Sequence, residues 1–178
     1  IGPADMAEVH GNAKIEDGRL VLGGGQDLVL TKPIGEDLSV MTLMAWVSLN
    51  DVNPGGGWGA IAVQARAVDK FDAIAYGERT ARQWMAGSTG FRRTVANNGG
   101  PKETLTEPDE IMMAIAYGDD GTITIYRNGE IYADAESASK GSLITYNEND
   151  FVGFGRRVYR SGPNMNGFIN EARIYDTA

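Results

Sequence analysis

The sequence predicts an all-β chain folded as a two-sheet antiparallel sandwich. Three observations lead there. Apolar and polar residues alternate with period two along most of the 178 residues. Turn-forming clusters cut this alternation into short segments at regular intervals. No stretch of ten or more residues carries the 3.6-residue periodicity of an amphipathic helix.

The segments follow in order. Arg19 to Leu22 and Asp27 to Thr31 read as two short strands around Gly23, Gly24 and Gly25. Ser39 to Leu49 is the strongest strand, with Met41, Leu43, Ala45, Val47 and Leu49 on one apolar face. Met44 and Trp46 on its other face imply partial cover there. Asn53 to Gly57 is a loop. Ala60 to Arg66, Phe71 to Tyr76, Gln83 to Ala86 and Phe91 to Val95 read as a meander, closed by the break at Asn97 to Pro101. Ile111 to Tyr117 is a strand that turns at Gly118 to Gly121 into a hairpin. Asn128 and Gly129 supply the hairpin's two-residue turn, a pair that tolerates positive φ at both positions. In its first arm Ile123, Ile125 and Arg127 share one face, and Thr122, Thr124 and Tyr126 the other. Phe151 to Gly155 and Gly167 to Tyr175 complete the set, with a loop at Tyr159 to Asn164 between them. The opening and closing strands are expected side by side. Residues 1–178 read as a single domain, with residues 1–11 its least patterned segment.

Composition narrows the function. The net charge of −8 argues against sequence-independent nucleic-acid binding, which needs a basic surface. With no cysteine, disulfides, zinc thiolate sites and cysteine nucleophiles are excluded. The single histidine, His10, rules out multi-histidine metal sites, and a serine triad would have to be built on it. Its unpatterned surroundings favour a surface position. No run approaches the roughly 20 apolar residues of a membrane span, so no membrane insertion is expected.

The strand signals also recur in a known order. Leu43-Met44-Ala45-Trp46-Val47, the Tyr126-Arg127-Asn128-Gly129 turn, Phe154-Gly155 and Gly167-Phe168-Ile169-Asn170-Glu171-Ala172-Arg173-Ile174-Tyr175 succeed one another here. This series resembles the laminin-G-like, concanavalin A-like jelly roll, from about Arg19 to Tyr175. The resemblance implies a jelly-roll sandwich, a lectin-like role and an extracytoplasmic location. It departs at Asn170, where the family usually has Asp. Some members of the superfamily bind calcium at the sandwich rim, and Asp27 and Glu171 are the oxygen donors that a calcium site would use here. No other cofactor is implied.

Glycoside hydrolases of this fold carry acidic residues alternating on one strand face, so that two carboxylates flank the glycosidic bond. The nearest match, Glu107-Pro108-Asp109-Glu110, has its last carboxylate at the wrong parity, and Pro108 disfavours a central strand. It reads as a turn, and no catalytic residue is assigned. What remains is a binding surface. Trp58, Tyr76, Trp84, Phe91 and Tyr159 lie at or near strand ends and loops, where flat rings can stack on sugars. Seven of the eleven arginines fall in two stretches, Arg79, Arg82, Arg92 and Arg93, then Arg156, Arg157 and Arg160. Of these, Arg82, Arg92, Arg157 and Arg160 neighbour the aromatics and suit bidentate binding of carboxylate or sulfate.

The expected function is a non-catalytic carbohydrate-binding module of a larger extracytoplasmic protein, with an anionic glycan as its ligand and covalently linked domains beside it. A hydrolase or lyase with an unrecognised active site, and a structural or protein-interaction domain, are the alternatives.

Overall fold

The computed structural model describes residues 6–53, 55–66, 70–91, 100–132 and 144–178. In chain order its strands are β1 (Met6–His10), β2 (Lys14–Glu16), β3 (Arg19–Gly23), β4 (Leu28–Pro33), β5 (Met41–Leu49), β6 (Trp58–Gln64), β7 (Phe71–Tyr76), β8 (Trp84–Ser88), β9 (Ile111–Tyr117), β10 (Ile123–Arg127), β11 (Glu130–Ile131), β12 (Phe151–Phe154) and β13 (Asn166–Tyr175). Two antiparallel sheets result. One runs β1-β4-β12-β6-β7-β8, the other β11-β10-β9-β5-β13-β3-β2.

The alternation sets which side chains fill the space between the sheets. All five predicted apolar residues of β5 have no solvent exposure, while Thr42, Met44 and Trp46 are half-buried on the outer face. Full burial of each large aliphatic side chain contributes about 1.5–3 kcal/mol. The expected partial cover of Trp46 is the Arg173 guanidinium, 5.1 Å from the ring centroid. In β10, Ile123 and Ile125 face the core, and Asn128 and Gly129 turn the chain at φ 51° and 87°. The opening and closing strands pair as expected, β3 with β13.

Within the segment 1–11, the described residues form β1, which pairs with β4 at the sheet edge. A register shift between Met6 and Glu8 breaks the alternation, and Val9 stays 52% exposed, so the period-two signal is lost. The strand expected from Phe91 does not begin there. The backbone of Thr89–Phe91 forms a 3-10 turn, and 92–95 lie outside the described residues.

The loop expected at Tyr159 to Asn164 belongs to a longer segment, 155–165, that covers the outer face of the six-stranded sheet. Tyr159 packs on Leu28, Leu30 and Phe151, and Val158 on Ala62, Phe71 and Ala73. The Tyr159 amide donates to Gln64 Oε1 at 2.7 Å. That cover explains why β6 and β7 are buried on both faces.

Candidate functional site

The predicted aromatic and arginine positions fall mainly at one end of the sandwich, where β7 ends and β6 and β8 begin. Trp58, Tyr76 and Trp84 are the first or last core-facing residues there, and all three are at most 1% exposed. Their centroids lie 5.1, 5.8 and 4.7 Å apart in tilted or edge-on pairs. They form a plug between the sheets rather than a ligand platform, which corrects the expectation drawn from their place at strand ends. Their polar atoms are used internally. Tyr76 donates to the Val52 carbonyl at 2.8 Å, and Trp84 Nε1 to Glu103 Oε1 at 2.9 Å.

Glu103 is the centre of this end. Only 2% exposed, it accepts from Arg127 Nε at 2.7 Å and Nη2 at 2.9 Å. Its backbone carbonyl accepts from Arg82 Nε at 2.8 Å, and its amide donates to the Arg82 carbonyl at 2.8 Å. The hydrogen bond to Glu103 strengthens the protonated state of Arg127. Burial first, and Glu103 second, push the Tyr76 phenol well above its ordinary range. Burial likewise pushes the Tyr132 phenol up to about 12. A folded-state value above the unfolded one contributes stability below the unfolded value and loses it as pH rises through the folded one. Stability should therefore fall from about pH 10 to about pH 12, and Tyr132→Phe should flatten that fall. Urea unfolding monitored at several alkaline pH values measures both.

Arg157 Nη1 forms an ion pair with Glu78 Oε1, which sets this arginine beside the residue before Arg79, whereas Arg160 of the same stretch lies by Arg66, past the opposite end of β6. The Glu78 side chain is 5% exposed, and burial weakens the protonated state of Arg157. Glycines make room for the pair. A Cβ on Gly57 would come within 2.4 Å of Glu78, and one on Gly59 within 2.8 Å of Arg157. Arg156 donates from Nε to Asn164 Oδ1 at 2.9 Å, and Arg160 from Nη2 to the Arg66 carbonyl at 2.8 Å. Arg160 Nε also donates to the Tyr159 hydroxyl at 2.6 Å, but Tyr159 is drawn onto the outer sheet face, toward Arg66. Arg82, Arg156, Arg157 and Arg160 thus engage acceptors of the protein itself. Arg92 and Arg93 lie outside the described residues, as does the Phe91 side chain.

Asp27 and Glu171 are not neighbours. Asp27 is 4% exposed and accepts from the Asn12 amide at 2.6 Å and the Gly23 amide at 2.7 Å, tying two loops together. Gly23 pairs with Asn166, and Glu171 sits five residues farther along β13, about 15 Å away at the strand rise. There it accepts from Arg173 Nε at 2.5 Å. Among the described residues no group of three or more His, Asp or Glu side chains is arranged to hold a metal. His10 is exposed on β1, 3.3 Å from Glu8. Glu107 and Pro108 form a turn, as expected, with the Arg19 Nη1 donating to Glu107 at 3.2 Å.

The opposite end holds a cleft of about 450 Å³. Its apolar lining comes from Pro33, Ile34, Leu38, Val152 and Ile174, and its polar lining from Thr31, Lys32, Glu36, Tyr175 and Asp176. It forms where β4 and the residues after it approach the end of β13.

Residues 22–178 match a laminin-G family model described as the concanavalin A-like lectin/glucanases superfamily. The chain belongs to this superfamily. No curated protein matches it. Among solved structures, domain 4 of AbnA, a GH43 extracellular arabinanase from Geobacillus stearothermophilus in complex with arabinotriose, is similar at 16% identity and TM-score 0.68, over 96% of this chain and 74% of that one. The Trypanosoma rangeli sialidase is similar at 13% identity and TM-score 0.61, over 99% of this chain but 29% of the sialidase. A structure reported with the endo-acting O-glycanases of human gut microbiota that initiate mucin breakdown is similar at 14% identity and TM-score 0.56, over 92% of this chain and 81% of that one. Likeness at such identities shows the shared jelly-roll sandwich. No helix among the described residues is long and apolar enough to cross a membrane.

In this member of the superfamily, one signal for the Glu103 hub was present in the sequence. The parity of β10 points Arg127 toward the core with Ile123 and Ile125, and a core-facing arginine needs a buried acceptor. Glu103 itself lies in an aperiodic loop. The cleft residues gave no local signal, because segments 31–38, 152 and 174–176 meet only in the fold.

Proposed function

We propose that this chain is a non-catalytic carbohydrate-binding module that works outside the cytoplasm as one domain of a larger protein. The observation that carries this reading is the cleft near β4 and β13. It joins an apolar floor to a few polar groups and a half-exposed tyrosine, the combination that a sugar ring with one apolar side requires. Membership of a lectin and glucanase superfamily supports it, as do similar domains from glycan-acting proteins, one of them holding arabinotriose.

A hydrolase would need an acid and a second carboxylate across the bond. Glu36 and Asp176 are the cleft's two carboxylates, and both are exposed, whereas a general-acid carboxyl works from an apolar setting. Purified protein should release no reducing sugar from glucans, galactans or arabinans. Sustained release that disappears with Glu36→Gln or Asp176→Asn would establish an enzyme instead.

The binding reading is tested on an array of neutral, uronic and sulfated oligosaccharides, with and without calcium and at two salt concentrations. Binding to a defined glycan class supports it, and an array without any specific binding overturns it. Contacts made through arginine to an anionic glycan weaken with salt. A calcium requirement would show as binding lost on chelation.

A further inference from the structure

We propose that the cleft seats a neutral sugar residue against the ring of Tyr175, with sugar hydroxyls donating to the carboxylates of Glu36 and Asp176. This rests on the glycan-binding reading above and adds the location and the ligand's charge class.

The floor offers little hydrogen bonding. Thr31, 5% exposed, uses its hydroxyl proton on the Lys32 carbonyl at 2.7 Å and accepts from the Val152 amide at 3.0 Å. Ile34, Leu38, Val152 and Ile174 supply apolar surface. Polar recognition is therefore left to the exposed residues at the mouth: Lys32, Glu36, Tyr175 and Asp176. Two carboxylates stand against one ammonium, and ionised carboxylates only accept hydrogen bonds. A ligand must bring donors, and a uronate or sulfate would meet like charge in a protein of net charge −8. Arg82, Arg156 and Arg157, which would favour an anionic ligand, lie at the other end and serve internal acceptors, and Arg160 is held on the outer sheet face by the Arg66 carbonyl.

Tyr175 is 37% exposed and fixed in place. Its hydroxyl accepts from Arg173 Nη1 at 3.1 Å, and Arg173 Nε is held by Glu171 at 2.5 Å. The residues form a relay along the outer face of β13, with Glu171 as its anchor. A ring held on a strand loses little freedom on binding, which favours affinity. The cleft's 450 Å³ lies within the roughly 300–1,000 Å³ of small-ligand sites.

The experiment titrates the intact chain calorimetrically with neutral, uronic and amino-sugar oligosaccharides, and maps the site by amide chemical shifts. Wild type is compared with Tyr175→Ala, with Glu36→Gln/Asp176→Asn, and with Arg79→Ala at the far end. All of these positions are exposed, and unfolding curves confirm that each variant folds. The expected result is salt-insensitive binding of neutral oligosaccharides, shifts confined to 31–38, 152 and 174–176, and at least a tenfold loss in both cleft variants but not in the arginine variant. Binding that survives both cleft variants, or that the arginine variant abolishes, overturns the location while keeping the module reading. A preference for uronates, strengthened by Glu36→Gln/Asp176→Asn, or salt-sensitive preference for amino sugars, overturns the neutral class. No binding of any glycan overturns this inference and the module reading together.

Discussion

Replacing Glu103 by alanine should lower the unfolding free energy by about 3–5 kcal/mol, the usual effect of breaking a buried ion pair from one side. Glu103 is 2% exposed and accepts three side-chain hydrogen bonds, two from Arg127 and one from Trp84 Nε1. Its loss strands a guanidinium at the edge of the core and removes the Glu103 acceptor of the Trp84 indole N–H. A stranded group costs more than the hydrogen bond that satisfied it contributed. Glu103→Gln keeps the size and one acceptor but removes the charge, so its loss should be smaller. Glu103→Leu combined with Arg127→Met should recover much of the stability, because neither partner is then left charged and alone. Urea denaturation of the four proteins measures the series. A loss below about 1 kcal/mol for Glu103→Ala would mean that the pair is solvated in solution, with an effect in the range of surface salt bridges.

The core strands were legible because burial on one face writes period two into the chain. β5 shows this best, since every second residue from Met41 to Leu49 has no exposure. The Asn128-Gly129 turn was legible because few other residue pairs accept positive φ at both positions. β1 was not, because an edge strand with a register shift and an exposed outer face leaves no consistent alternation. β6 begins two residues earlier than its pattern, at Trp58, because a register shift between Gly59 and Ile61 breaks the parity there.

The site was less legible than the fold. Clustered arginines can bind a ligand or neutralise buried acceptors, and sequence does not distinguish these uses. The structure pairs Arg157 with Glu78 and places Arg82 on the Glu103 carbonyl. Aromatics at strand ends carry the same ambiguity, because a strand end can face a groove or the closed end of a sandwich. The cleft's lining comes from segments more than a hundred residues apart, such as 31–38 and 174–176, so no local motif marks it.

Trp58 makes that ambiguity testable, and Trp58→Ala should cost about 3–5 kcal/mol, as removal of a large core aromatic does. The indole is 1% exposed and packs 5.1 Å from Tyr76 and 5.8 Å from Trp84, centroid to centroid. It contacts two rings whose own hydroxyl and N–H groups are fixed by Val52 and Glu103, so neighbours cannot collapse into the space without breaking those bonds. A cavity should persist, and the loss should sit in the upper part of the range. Trp58→Phe keeps a ring in the plug and should cost less. Under conditions where the variant remains folded, glycan binding should match wild type, because the plug lies at the end of the sandwich opposite the cleft. Denaturant unfolding and calorimetric titration on the same preparation separate the two effects. A Trp58→Ala protein with wild-type stability and no glycan binding would return this tryptophan to the ligand face and place the binding surface at the arginine-rich end.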